Sequence, residues 1–122
     1  MTAQEHYAKG ECFYLQGGEF ELYKALVQFN YILNNQSECA DWIRENPESF
    51  SNIYYLRGRI YLAQGLEEKD VIVLKNALND FNKIWDDVDA HGGWINNQDN
   101  FENLFNSRSD AIEAIENLGG SV

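Results

Sequence analysis

The segment from Tyr7 to Gly17 reads Y-A-K-G-E-C-F-Y-L-Q-G, and 48 residues later the segment from Tyr55 to Gly65 reads Y-L-R-G-R-I-Y-L-A-Q-G. Tyrosine, a basic residue, glycine, a second aromatic residue, glutamine and glycine occupy the same places in both segments. Self-similarity of this kind is typical of chains built from repeated supersecondary units. The sequence therefore predicts two similar units.

A stretch with helical periodicity follows each of these segments. Apolar residues recur there every three or four positions, which places them on one face of an amphipathic helix. They are Leu22, Ala25, Leu26, Phe29, Ile32 and Leu33 after the first segment, and Leu74, Ala77, Leu78, Phe81, Ile84, Trp85 and Val88 after the second. Strict alternation of apolar and polar residues extends over no more than about four positions, so no strand is predicted. We expect an all-α fold of antiparallel helical hairpins, stacked as a short array with a C-terminal helical cap.

The chain is 122 residues long, which is enough for one packed domain and too short for two. Within this single domain, residues 1–122, we expect a first hairpin over residues 4–35, an insert over 36–46, a second hairpin over 47–88 and a C-terminal helical cap over 99–118. Pro47 behind Asn46 is a start signal for the second hairpin, because proline is favoured in the first turn of a helix and asparagine just before it. The alternative for residues 94–118 is a third, degenerate repeat.

Two glycines are predicted to end the first helix of each hairpin. Gly17 and Gly65 stand where the chain needs a left-handed residue, a conformation that glycine adopts without steric cost. From this glycine to the alanine of the second helix there are 8 residues in the first hairpin (Gly17 to Ala25) and 12 in the second (Gly65 to Ala77). The difference is about one helical turn. We therefore expect the second helix of the second hairpin to begin one turn earlier.

The order of small and aromatic residues in both hairpins resembles the tetratricopeptide repeat. The matching residues are Gly10, Phe13, Gly17, Ala25 and Phe29 in the first hairpin, and Gly58, Tyr61, Gly65, Ala77 and Phe81 in the second. A glycine inside a helix costs about 1 kcal/mol relative to alanine, so Gly10 and Gly58 indicate that another backbone packs closely there. The resemblance covers roughly residues 4 to 88, with a spacing of 48 residues where the family has about 34.

The resemblance implies a non-catalytic protein–protein interaction module, adaptor-like or chaperone-like, that binds a peptide or a helix in a groove lined by the first helix of each hairpin. Alignment on the repeat glycine carries the groove positions over to Tyr7, Glu11, Tyr14, Asn52, Tyr55 and Arg59. Tyr7 and Tyr55 occupy equivalent places, and tyrosine is enriched at interfaces because it combines a large ring with a polar tip. The alternative is that both tyrosines only pack between neighbouring helices.

Negative charge is concentrated towards the C-terminus and suggests a second function. The formal net charge is −11, and residues 86 to 122 contribute −7 of it, from eight acids and the single base Arg108. The candidate acidic face consists of Asp99, Glu102, Asp110, Glu113 and Glu116. Such a face suits an acidic inhibitor or nucleic-acid mimic that binds a basic, nucleic-acid-binding protein, because opposite charges accelerate association. The other interpretation is an ordinary solubilising surface.

The same charge disfavours nucleic acid and anionic membranes as direct partners, since both are negatively charged. A protein or peptide partner is expected instead, and exposed aromatic residues in so short a helical array also allow a homodimer. The sequence opens without a basic start or an apolar stretch, so we expect a cytoplasmic protein. In that compartment Cys12, on the apolar side of the first helix, is predicted to be a buried, inert thiol.

Catalytic and metal-binding patterns are weak. The two histidines, His6 and His91, are far apart in sequence, and no glycine-rich phosphate loop with its lysine is present. The segment from Asp86 to His91 has carboxylates and an imidazole, but its spacing matches no calcium loop or two-histidine metal site. We expect a solvated helix end there, and neither an enzyme nor a cofactor or metal site in this chain.

Overall fold

The computed structural model describes all 122 residues and contains seven helices and no strand. The helices are α1 (Ala3–Gln16), α2 (Glu19–Asn34), α3 (Ala40–Glu45), α4 (Pro47–Glu68), α5 (Val71–Trp85), α6 (Gly92–Ile95) and α7 (Gln98–Asn117). The prediction of an all-α fold is confirmed. The insert at residues 36–46 contains α3, and the segment expected to form the cap is the single helix α7.

The residues group into two compact units, where the sequence predicted one domain. Unit 1 is Met1–Ile53 and unit 2 is Tyr54–Val122, so the boundary falls inside α4. None of the seven helices combines the length and the apolar character needed to cross a membrane.

Unit 1 begins with a fully capped helix. The side chain of Thr2 accepts a hydrogen bond from the Glu5 backbone N–H at 3.1 Å, and the Glu5 carboxylate accepts one from the Thr2 N–H at 3.1 Å. This reciprocal pair satisfies two N–H groups at the start of α1. At the other end, Gly17 has φ = 77° and its N–H donates to the carbonyl of Phe13. Gly17 therefore ends α1 in the left-handed conformation that the sequence predicts.

The glycine inside α1 is required by a ring from α2. A Cβ atom on Gly10 would lie 2.4 Å from Cε1 of Phe29, whose side chain is fully buried. The prediction that a backbone packs at this glycine is wrong, because the neighbour is a side chain. Ala25 and Ile32 extend the same buried face of α2 along α1.

Unit 2 repeats this contact between α4 and α5. A Cβ atom on Gly58 would lie 2.5 Å from Cε1 of Phe81, and one on Gly65 would lie 2.6 Å from Cγ of Leu74. From Gly58 to Gly65 on α4, the contacting residue on α5 changes from Phe81 to Leu74, which comes earlier in the chain. The two helices are therefore antiparallel. On its other side α5 packs against α7, which buries Leu104 completely.

The predicted end of α4 at Gly65 is wrong. The helix continues to Glu68, and the chain turns at Lys69, which has φ = 53°. Gly65 is buried inside the helix because Leu74 packs onto it. The four extra residues of the second repeat therefore lengthen α4.

The prediction that the second helix of the second hairpin begins a turn earlier is also wrong. Ala25 comes six residues after the start of α2 at Glu19, and Ala77 comes six residues after the start of α5 at Val71. The two second helices therefore begin at equivalent places.

Candidate functional site

Tyr7 lies in the interior of unit 1. Only 7% of it is exposed, and its ring centroid lies 6.4 Å from that of Phe29 and 5.5 Å from that of Trp42. Its hydroxyl accepts a hydrogen bond from Asn52 at 3.0 Å and donates one to the Glu11 carboxylate at 3.1 Å. Burial raises the pKa of this hydroxyl, which therefore stays protonated as a donor. Tyr7 therefore packs between helices, as in the alternative interpretation, because Trp42 on α3 covers its ring.

Three of the predicted groove residues therefore do lie together, but they bind one another inside unit 1. Tyr7, Glu11 and Asn52 form one hydrogen-bonded chain that connects α1 to the start of α4. Tyr14, the fourth predicted residue in unit 1, is half-buried on α1. Apart from Gly10, Tyr7 is the one buried residue of α1.

The thiol of Cys12 is exposed, and the prediction that it is buried is wrong. Its sulfur accepts a hydrogen bond from Gln16 at 3.6 Å on the outer side of α1. The buried side of α1 is narrow, so a residue on the edge of the apolar stripe stays in contact with solvent.

Tyr55 makes the same two aromatic contacts in unit 2 that Tyr7 makes in unit 1. It is half-buried, and its ring centroid lies 6.2 Å from that of Phe81 and 5.2 Å from that of Trp94. Packing between helices, the alternative interpretation of the two tyrosines, therefore describes what both rings do. Arg59, one turn further along α4, is half-buried and donates to the Ser107 hydroxyl at 3.3 Å.

A buried ion pair between α4 and α5 was missed by the sequence analysis. The Arg57 guanidinium donates two parallel hydrogen bonds to the Asp80 carboxylate, at 2.8 Å from Nε and 2.7 Å from Nη2. Side-chain exposure is 21% for Arg57 and 4% for Asp80. Burial raises the pKa of Asp80, and the guanidinium opposes this change. The available signal was an aspartate directly before Phe81 on the apolar side of α5.

Three aromatic rings of unit 2 form a partly exposed surface, which we call the aromatic patch: Trp85, Phe101 and Phe105. The Trp85 centroid lies 6.0 Å from that of Phe101 and 6.1 Å from that of Phe105. Phe101 is 42% exposed and Phe105 51%. On the same helix, the Arg108 guanidinium lies 4.9 Å from the Trp85 centroid and donates through Nε to Asn82 at 2.6 Å. The patch is therefore held in place from both α5 and α7.

The predicted acidic residues all lie on α7 and are all exposed. They are Asp99, Glu102, Asp110, Glu113 and Glu116. At 3.6 residues per turn they fall within an arc of about 120° on one side of the helix. Asp110 and Glu113 also line an open cavity of about 430 Å³ together with Leu66, Lys69 and Leu118. The structure thus brings the acidic face together on a single helix.

Unit 1 has an exposed apolar stripe of its own on α2. Phe20, Tyr23 and Val27 are spaced three and four residues apart and are 66%, 60% and 52% exposed. One turn further, Tyr31 stacks on His6 with a centroid separation of 3.9 Å. These residues lie outside the regular stripe that faces the core, so the apolar period does not identify them.

The segment considered for metal binding runs from the end of α5 to the start of α6. His91 precedes α6, is half-buried, and meets the edge of the Tyr54 ring at a centroid distance of 6.2 Å. Burial lowers the pKa of this imidazole. The structure contains no group of three or more His, Cys, Asp or Glu side chains placed to hold a metal ion.

Comparison with known protein families, with curated proteins and with solved structures finds no match for this chain. The tetratricopeptide resemblance therefore rests on the repeated residues themselves. In both units a helical glycine lies under a phenylalanine, and a tyrosine lies between that phenylalanine and a tryptophan. The two units thus share one set of contacts at equivalent positions.

Proposed function

We propose that this chain is a non-catalytic, adaptor-like module that binds another protein. The observation that carries the proposal is the aromatic patch, in which Phe101 and Phe105 remain 42% and 51% exposed. Aromatic side chains contribute a large share of the binding energy at protein interfaces. The contacts with Trp85 and α7 already restrict these rings, so little conformational entropy is lost when a partner binds.

The ligand is a peptide or a helix, as the tetratricopeptide resemblance implies, and that resemblance is part of the proposal. Among the first-helix positions, Tyr14, Tyr55 and Arg59 are half-buried and retain some accessible surface. Tyr7 presents its ring to the interior, so its role is to position α1. The aromatic patch is therefore assigned the main contact.

The test is capture of a partner with two matched double variants. Phe101→Ala with Phe105→Ala removes the exposed rings of the patch, and Phe20→Ala with Tyr23→Ala removes two rings from α2 that are even more exposed. Each protein is immobilised, incubated with extract of the native host, and the bound proteins are identified by mass spectrometry. We expect the patch variant to lose a protein that the wild type and the α2 variant both retain. Identical sets from all three would contradict the proposal.

A second candidate function, an acidic inhibitor or nucleic-acid mimic, is favoured by the exposed carboxylates on one side of α7. This function depends on charge alone. Neutralising Glu102, Asp110 and Glu113 to Gln, Asn and Gln is then expected to weaken binding to a basic, nucleic-acid-binding protein, while the patch variant binds normally. The opposite pattern, loss in the patch variant only, would reject this candidate.

A further inference from the structure

We propose that the partner segment for the aromatic patch is an amphipathic helix of another protein, with Lys or Arg side chains beside its apolar stripe. This inference rests on the proposed function and adds the chemistry of the partner. It follows from the shape of the patch and from the charges around it.

The patch has the shape of a site for one helix. Phe101 and Phe105 are one turn apart on α7, and Trp85 contacts both from α5. Apolar anchors one turn apart on a partner helix match this spacing. An aromatic side chain has about 150 to 250 Å² of surface, so Phe101 and Phe105, at 42% and 51% exposure, together offer roughly 200 Å². That area is far below the ~800 Å² per partner of a standard interface between globular proteins.

Three carboxylates neighbour residues of the patch in the chain. Asp86 and Asp87 directly follow Trp85, and Glu102 directly follows Phe101; all three acids are exposed. The only base between residues 86 and 122 is Arg108, which is occupied by its hydrogen bond to Asn82 and its contact with Trp85. The three carboxylates outnumber the one guanidinium, so these four residues carry a net charge of −2, which attracts Lys or Arg side chains.

The two sides of α7 that flank Phe101 and Phe105 differ in charge. On a helix of 3.6 residues per turn, Glu102 and Glu116 lie on one side of the line through Phe101 and Phe105, and Arg108 lies on the other side. At a rise of 1.5 Å per residue, Glu116 is about 16 Å beyond Phe105 along the helix axis, a distance that a helical peptide of five turns can span. A bound helix gains most when its basic residues lie along the glutamate side alone. A second copy of this chain would bring two segments of charge −7 together, so it fits the patch less well than a basic helix does.

The experiment uses three synthetic helical peptides of about 18 residues, or five turns. All three carry the same leucine stripe, and the residues on one side of it are lysine, glutamine or glutamate. Binding of fluorescein-labelled peptide to the full chain is measured by anisotropy. We expect the lysine peptide to bind on the order of tenfold more tightly than the glutamine peptide, as two or three surface ion pairs allow. In about 0.5 M salt, where the screening length is roughly 4 Å, this preference should largely disappear.

Variants of the chain test whether the peptide binds at the aromatic patch. Phe105→Ala should weaken binding of the lysine peptide by about tenfold, as loss of a central aromatic anchor does, while the exposed-ring control Phe20→Ala leaves it unchanged. Glu102→Gln with Glu116→Gln should reduce only the preference for lysine over glutamine. All variants are surface substitutions, and circular dichroism verifies that each is folded.

The contrary outcomes are distinct. Equal binding of the lysine and glutamate peptides overturns the inferred charge of the partner and leaves the proposed function standing. If no peptide binds but the patch variant still loses its captured protein, the partner is not a helix, and only the inference fails. If the chain alone dimerises in sedimentation and Phe105→Ala abolishes the dimer, a second copy covers the patch and the inference is wrong. Failure of the capture experiment as well overturns both proposals.

Discussion

Unit 1 and unit 2 share their aromatic contacts but differ in the polar contacts at equivalent positions. In unit 2, Arg57 and Asp80 form a buried ion pair. The equivalent residues of unit 1 are Lys9, which is exposed, and Gln28, which bonds to His6 at 2.7 Å. The repeated aromatic arrangement therefore does not require an ion pair between these two positions, since Gln28 bonds to His6 and not to Lys9. The following predictions test how far this comparison extends.

The largest expected effect is loss of the ion pair. Arg57→Ala leaves the Asp80 carboxylate buried without its partner, which should lower the free energy of unfolding by about 3 to 5 kcal/mol. Urea denaturation measures the change. At the equivalent place in unit 1, the control Lys9→Ala should change stability by no more than about 0.5 kcal/mol. Similar losses for the two variants would show that the polar difference between the units has no energetic consequence.

The second-largest expected effect is disruption of the contact between a helical glycine and a buried phenylalanine, which both units share. Alanine at Gly10 or Gly58 places a Cβ atom 2.4 or 2.5 Å from a buried phenylalanine ring, so the ring must move. Each substitution should cost about 1 to 3 kcal/mol, in spite of the better helix propensity of alanine. Gly92→Ala is the control, because its Cβ meets nothing closer than 3.9 Å. Thermal denaturation should show similar losses for Gly10 and Gly58; a loss at only one would break the equivalence of the units.

Substitutions of Tyr7 and Tyr55 should change the free energy of unfolding by different amounts, unlike those of Gly10 and Gly58. Tyr7→Phe removes a hydroxyl that bonds to both Asn52 and Glu11, and should cost about 1 to 2 kcal/mol. Tyr55→Phe retains both of its ring contacts and should stay within about 0.5 kcal/mol of the wild type. Urea denaturation of the two variants side by side is the measurement. Equal costs would mean that the hydrogen bonds at Tyr7 contribute nothing specific to unit 1.

The smallest expected effect is a pH dependence confined to unit 2. Burial lowers the pKa of His91 below its ordinary value of 6.5, so the unfolded chain takes up the proton more readily. The contribution of His91 is complete above pH 6.5 and is lost as the pH falls through that value towards the lower pKa of the folded state. Because the ring is half-exposed, the loss should be about 0.5 kcal/mol or less.

His91→Gln should remove this dependence, as followed by denaturation between about pH 5 and pH 7.5. The equivalent residue of unit 1 is Cys39, and burial raises the pKa of its thiol, which stays neutral throughout this range. A variant with an unchanged pH profile would show that the dependence arises elsewhere.

The helices and the repeated aromatic contacts were predictable from the sequence. The period of the apolar residues identifies the buried side of a helix, and the spacing of 48 residues identifies equivalent positions such as Gly10 and Gly58. The period of the apolar residues does not show how many other helices pack against each side of a helix. For this reason the period of α1 left both a groove position and packing between helices open for Tyr7, which is buried, and predicted a buried thiol for Cys12, which is exposed.

The features missed in unit 2 have the same origin. Phe101 and Phe105 have the spacing of core residues, but Leu104 between them takes the buried position against α5, and both rings face outwards. Asp80 is 3% exposed beside the apolar residues of α5, and the apolar period alone gives no sign that an acidic side chain is buried there. A single chain shows neither which neighbour is present nor which charge is paired, because both depend on residues distant in sequence.

The two thiols of unit 1 differ in accessibility, and their rates of chemical modification can be used to measure how often unit 1 opens locally. Cys12 is accessible, whereas Cys39 is 6% exposed and lies at the start of α3, where its N–H donates to Asn35 and its carbonyl accepts from Ile43. A thiol reagent should modify Cys12 at the rate of a free cysteine, but Cys39 only as often as α3 detaches. The ratio of the two rates reports the opening of unit 1 in the unaltered chain, with the faster thiol as the internal reference.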